Sequence, residues 1–100
     1  MTVHRIVMLD FPEVLSDAEE SQFRGLLDAA VLEVDGFESY VMGRNQSPGG
    51  MKYALVLRFA DQAAHDAYVP HPAHAAMGEF LRPRGFTHQL AVVDDALTIG

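Results

Sequence analysis

No stretch limits the fold of this chain more than residues 51–59. Tyr53, Leu55, Leu57 and Phe59 fall on one side, and Lys52, Ala54, Val56 and Arg58 on the other. A period of two belongs to a β-strand, and the first side is too apolar to face water. The strand therefore needs a sheet to pair with and a layer to cover it. Residues 3–11 repeat the pattern. Val3, Val7, Leu9 and Phe11 share a side that also holds Arg5, while His4, Ile6, Met8 and Asp10 lie opposite. Two further strands are expected over residues 37–43 and 86–94. Residues 44–50 are polar and rich in glycine, which suits a hairpin connection or a mobile cover over a pocket mouth.

The covering layer comes from helical spacings. Ser16-Asp17-Ala18-Glu19 is a capping box, and behind it Phe23, Leu26, Leu27, Ala30, Val31 and Val34 recur on one helical face until Gly36. Asp61 suits the N-cap of a short helix ending near Tyr68. His71-Pro72 opens a second helical piece, in which His74, Met77, Phe80 and Leu81 form an apolar stripe, closed by residues 82–85. The order is β-α-β-β-α-β over one domain, residues 1–100, the ferredoxin-like arrangement of the α+β class.

Right-handed crossovers place both helices on one face of the antiparallel sheet. The other face is expected to carry Ile6, Met8, Tyr40, Met42, Ala54, Val56, Ala91 and Val93. A patch this apolar calls for a partner. The sheet of a second copy is the simplest cover, so the expected assembly is a homodimer joined through the helix-free face, a dimeric α/β barrel. The formal net charge of −7 argues against nucleic acid or an anionic membrane surface as partner. No cysteine is present for a disulfide, a thiol nucleophile or a thiolate metal site. No apolar run is long enough to span a bilayer, and the N-terminal residues enter an alternating strand pattern at once, so the cytoplasm is the default location.

The chemistry concentrates in Ala67-Tyr68-Val69-Pro70-His71-Pro72-Ala73-His74. Each proline disfavours helical backbone in the residue before it, so the chain bends here and can aim Tyr68 and His74 into one space from two helices. In one reading His74 is a general base and Tyr68 hydrogen-bonds it or polarises a carbonyl. In the other the two side chains satisfy each other within the packing. His71 is expected to cap the second helical piece. A metal site from His71, His74 and a carboxylate lacks any supporting ligand pattern, and neither metal nor cofactor is expected. His4 points to the partner side and His65 is spaced to face solvent.

Arg5 lies among apolar residues on the helix side of its strand. It is either a clamp for a substrate carboxylate, phenolate or enolate, or it pairs with an internal acid or reaches out to solvent. Tyr53 is either a second hydrogen-bond donor into the same space or core. Phe23, Leu27, Leu55, Met77 and Phe80 are expected to line the space, with a small anionic or aromatic compound as the candidate ligand.

Four runs carry a resemblance. They are His4-Arg5-Ile6-Val7-Met8-Leu9-Asp10-Phe11, Leu55-Val56-Leu57-Arg58-Phe59, Tyr68-x-x-His71-Pro72-x-His74 and Val92-Val93-Asp94. Together they make the chain similar to the stress-responsive A/B barrel (Dabb) proteins, which are dimeric α/β barrels. That family holds proteins with no known reaction. It also holds a plant polyketide (olivetolic acid) cyclase that closes a linear poly-β-ketone by aldol chemistry without a cofactor. The working tyrosine and histidine of that cyclase match Tyr68 and His74, and two further pocket histidines fall where this chain has Arg5 and Tyr53. The resemblance implies cofactor-free cyclisation, isomerisation or elimination on a small carbonyl or phenolic compound. A non-catalytic ligand-binding or stress-associated protein is the alternative, and a cofactor-free monooxygenase a third reading.

Overall fold

The four alternating stretches pair into one antiparallel sheet. In the computed structural model, which describes residues 1–98, the elements are β1 (Val3–Asp10), α1 (Asp17–Val31), β2 (Phe37–Arg44), β3 (Tyr53–Phe59), α2 (Gln62–Tyr68), α3 (Pro72–Leu81), a 3-10 turn (Arg82–Arg84) and β4 (Thr87–Asp94). The last two residues of the expected 1–100 domain, Ile99 and Gly100, lie outside the described residues. The strand order is β2-β3-β1-β4, so the two strands with the strictest alternation are the central ones. Arg5 pairs with Leu57, Val7 with Leu55 and Leu9 with Tyr53. The fold is the expected ferredoxin-like one, with the second crossover split into α2 and α3.

Local chemistry sets the helix ends. Ser16 Oγ accepts from the Glu19 amide and Glu19 Oε1 accepts from the Ser16 amide, closing the capping box. Asp61 Oδ1 accepts from the Ala64 amide at the start of α2. Between α2 and α3, Val69 keeps helical backbone although it precedes Pro70, and the break falls at His71, whose backbone is extended. His71 Nδ1 accepts from the Ala73 amide at 3.1 Å, which leaves the proton on Nε2, 2.8 Å from Glu33 Oε2. His71 thus caps α3, as its position suggests.

The core lies between helices and sheet. Phe23, Leu27, Ala30 and Val31 of α1 pack with Leu55, Leu57 and Phe59 of β3 and with Met77, Phe80 and Leu81 of α3. The helices do not cover β4, which is exposed along its whole length, Leu90 and Val92 included.

One expected face assignment is overturned. Tyr40 and Met42 lie on the helix side of the sheet, paired with Leu57 and Leu55, and not on the helix-free face. The cause is a β-bulge. Phe37 pairs with Phe59 and Ser39 with Arg58, so Glu38 is an extra residue and the alternation slips by one. Phe37 and Tyr40 consequently share a side, their ring centroids 6.4 Å apart, and Tyr40 Oη donates to Asp28 of α1 at 2.6 Å. The slip puts Val41, 71% exposed, on the helix-free face instead. That face also carries Ile6, Met8, Ala54, Val56, Ala91 and Val93, as expected.

Gly36 fixes the entry to β2. It has φ +87°, its carbonyl accepts from the Ala60 amide at 2.7 Å, and a Cβ built on it falls 2.8 Å from the Ala64 Cβ. Gly36→Ala therefore meets both a left-handed backbone and a methyl of α2. It should destabilise the fold by about 2 kcal/mol. In a thermal melt that is a fall of roughly 10 °C for a chain of this length; an unchanged melting temperature contradicts this account of the turn.

Candidate acid–base site

A cavity of about 200 Å³ opens between the sheet and the helices. β1 contributes Arg5, Val7 and Leu9, β3 contributes Leu55, and α1 contributes Phe23. Tyr68 comes from α2, and His74, Met77, Gly78 and Leu81 from α3, with Phe86 and His88 at the start of β4. The bend between α2 and α3 brings Tyr68 and His74 together. Their ring centroids are 4.7 Å apart, tilted by 57°.

The two rings do not share a hydrogen bond among those described. Tyr68 Oη donates to the Met77 Sδ at 3.8 Å, a weak acceptor. His74 Nδ1 lies 2.9 Å from the Val69 carbonyl. A carbonyl only accepts, so Nδ1 carries the proton, and the lone pair of a neutral His74 is on Nε2. Burial pulls the His74 pKa below its ordinary value; the Val69 carbonyl opposes this, and Arg5 and His65 add to it. The ring is therefore a neutral base at neutral pH. Tyr68 is 1% exposed, and burial pushes its phenol up to about 12 against the opposing pull of Arg5. It stays protonated and serves as a donor.

Arg5 Nη1 is 3.2 Å from His65 Nε2, and its guanidinium carbon sits 5.6 Å from the centroid of the Tyr68 ring. No ion pair among the described residues includes Arg5, so the internal acid offered as one reading of this residue is not its partner. Tyr68 is thus a wall shared by the guanidinium and the imidazole.

Several expected residues are elsewhere. Tyr53 does not reach the cavity. Its hydroxyl donates to Glu20 at 2.7 Å and accepts from the Leu15 amide at 3.1 Å, tying β3 to α1. Leu9, its neighbour on β1, does border the cavity, so it is these two hydrogen bonds that hold the Tyr53 side chain on the α1 side instead. Leu27 and Phe80 are buried in the core without bordering the cavity, whereas Phe23, Leu55 and Met77 do border it. The loop over residues 44–50 is a hairpin connection whose Arg44 pairs with Glu20 and Asp17 of α1, away from the cavity. His65 does not face solvent; it is 6% exposed and packs edge-on against Phe59. The missed signal was its spacing: His65 and Tyr68 are three apart on α2 and share a face. His88 was missed as well, although its place opposite Leu9 follows from strand parity.

No helix among the described residues is long and apolar enough to cross a membrane, and no cluster of histidine and acidic side chains there could hold a metal ion.

No curated protein matches the sequence. A dimeric ferredoxin-like protein of unknown function from Jannaschia sp. is similar in structure, with 22% identity, a TM-score of 0.78, and coverage of 94% of this chain and 99% of that one. SnoaB, a cofactor-independent oxygenase from Streptomyces nogalater, superposes with a TM-score of 0.77 at 15% identity, covering 98% and 96%. A hydroxynitrile lyase from Passiflora edulis does so with a TM-score of 0.70 at 13% identity, covering 96% of each chain. At these identities the likeness concerns the fold. The family profile of the stress responsive A/B barrel domain matches residues 3–94, and with that match over nearly its whole length the chain belongs to the stress-responsive A/B barrel (Dabb) family.

Proposed function

We propose that the protein is a cofactor-independent acid–base catalyst acting on a small carbonyl or phenolic compound, assembled as a homodimer through the helix-free face of its sheet. The observation that carries this reading is the composition of one cavity. It brings together a histidine whose proton is held on Nδ1, a protonated phenol and a guanidinium without an acidic partner among the described residues. In the step this suggests, His74 Nε2 removes a proton from the carbon beside a carbonyl. The C–H electron pair moves into the new C=C bond, and the carbonyl π pair moves onto oxygen. Arg5 and the Tyr68 hydroxyl supply positive charge and a donor for the enolate. Return of the proton elsewhere gives isomerisation, attack of the enolate on a second carbonyl gives cyclisation, and loss of a leaving group gives elimination. The polyketide-cyclase resemblance and two structural neighbours described as a cofactor-independent oxygenase and a hydroxynitrile lyase support an enzymatic role on this fold.

One observation favours the non-catalytic alternative. The Tyr68 hydroxyl is turned to Met77 rather than to His74, so the two do not form a preassembled pair. A pocket that only binds needs no such pair.

Exchange of the benzylic protons of phenylacetone in deuterated buffer, followed by NMR, separates the two readings. The wild-type protein should accelerate exchange above buffer and His74→Ala should not. Because the base must be neutral and burial lowers its pKa, the rate should hold through neutral pH and fall only as the pH drops below the ordinary histidine range. Absence of acceleration by the wild type leaves binding as the function.

The homodimer is supported by Ile6, Met8, Val41, Val56 and Val93 on one uncovered face, and by neighbours described as dimeric. Val56→Asp should give monomers or insoluble chain, since burying an unpaired carboxylate costs several kcal/mol. Sedimentation showing a well-folded wild-type monomer at micromolar concentration contradicts this assembly.

A further inference from the structure

We propose that Arg5 is the anion-recognition group of this cavity, that His65 positions it, and that the ligand is a carboxylate no larger than a single ring. The inference rests on the reading of the cavity as the ligand site and names what that site accepts.

The hydrogen-bond chemistry of Arg5 fixes the first part. A guanidinium only donates, so the 3.2 Å contact makes His65 Nε2 the acceptor and leaves the ring proton on Nδ1. Nδ1 lies 3.1 Å from Asp66 Oδ1, which also receives the Gln62 amide at 2.8 Å. Asp66, His65 and Arg5 thus form a chain in which each group has one role. His65 is 6% exposed while the Asp66 side chain is 63% exposed, so this chain runs from the surface through a buried imidazole to the guanidinium. One face of the guanidinium is set by the Tyr68 ring and one N–H by His65.

That leaves most of its five donors unassigned. No buried side-chain nitrogen or oxygen among the described residues lacks a partner, so the remaining donors border the cavity or solvent. A neutral imidazole takes a single N–H and brings no charge. A carboxylate takes two N–H groups side by side and supplies the charge that burial has left uncompensated.

The second part is volume. An apolar cavity of about 150 Å³ holds benzene, and drug-sized ligands need about 300 Å³ or more. At about 200 Å³ this cavity takes one ring with a short polar group. Phe23, Leu55 and Met77 provide apolar walls for that ring. A carboxylate on Arg5 then leaves the ring or its side chain against His74.

Titration calorimetry with benzoate and its neutral isostere benzamide tests this, with thermal melts to confirm that each variant is folded. The wild type should bind benzoate at least about tenfold more tightly than benzamide, the factor a charged hydrogen bond gives. Arg5→Leu should abolish the preference. His65→Leu should weaken benzoate, whereas His65→Gln, which keeps an acceptor, should restore it; a merely structural role for His65 would move stability without moving the preference. 1-Naphthoate should bind more weakly than benzoate. The inference is overturned if the wild type binds neither compound, binds both equally, or takes 1-naphthoate as tightly. Survival of the preference in Arg5→Leu also overturns it, and should that variant not fold, the wild-type comparisons decide alone. A wild type without benzoate preference but with His74-dependent exchange of phenylacetone defeats this inference and spares the acid–base reading. Benzoate preference without exchange does the reverse.

Discussion

The chain cannot run as one helix from Gln62 to Leu81, and the site depends on that interruption. Pro70 and Pro72 remove two amide donors, and His71 takes extended backbone between them. The interruption lets α3 start again at a new angle, capped by the imidazole of His71. His74, in the first turn of α3, then reaches back to the Val69 carbonyl at the end of α2 and lies on the Tyr68 ring. A continuous helix would place residues 68 and 74 on different faces, six positions apart. The bend converts a sequence separation that keeps two groups apart into a ring contact.

Most of the fold was legible because alternation and helical spacing are strong in this chain. β1 and β3 show a strict period of two, and the capping box announces α1. The sheet's weak point as a text was β2. Its residues alternate, but a single extra residue at Glu38 shifts the alternation, and no residue type there marks the bulge. The assignment of Tyr40 and Met42 to the wrong face follows from that one slip. The site was legible in part. The bend with Tyr68 and His74 came from local sequence, and the side on which Arg5 lies came from strand parity. Tyr53 was placed on the correct face, but its partners, Glu20 and the Leu15 amide, lie far away in sequence and hold its hydroxyl against α1. His65 was misread because a polar residue on a short helix is ordinarily turned to water, whereas here Arg5, 60 residues away in the chain, needs an acceptor.

Arg5 also sits in an unusual field. The chain carries a formal net charge of −7, yet the cavity wall holds a cation that pairs with no carboxylate among the described residues. The two act over different ranges. The acidic surface slows the approach of an anion and is screened by salt, while the guanidinium acts at contact inside a partly dry space. On the proposed reading, selection between anionic and neutral ligands is made at the wall of the cavity and not at the surface.

Gly78 bears on how such a cavity changes over time. It stands in the middle of α3, where glycine costs about 1 kcal/mol relative to alanine. A Cβ there would meet nothing nearer than the Arg82 guanidinium at 3.5 Å, and the position borders the cavity. An alanine at this point narrows the cavity without meeting the core, and it gains helix propensity as it does so. Cavity size can thus drift by single substitutions that the fold does not resist, on a scaffold that recurs in solved structures at 13–24% identity.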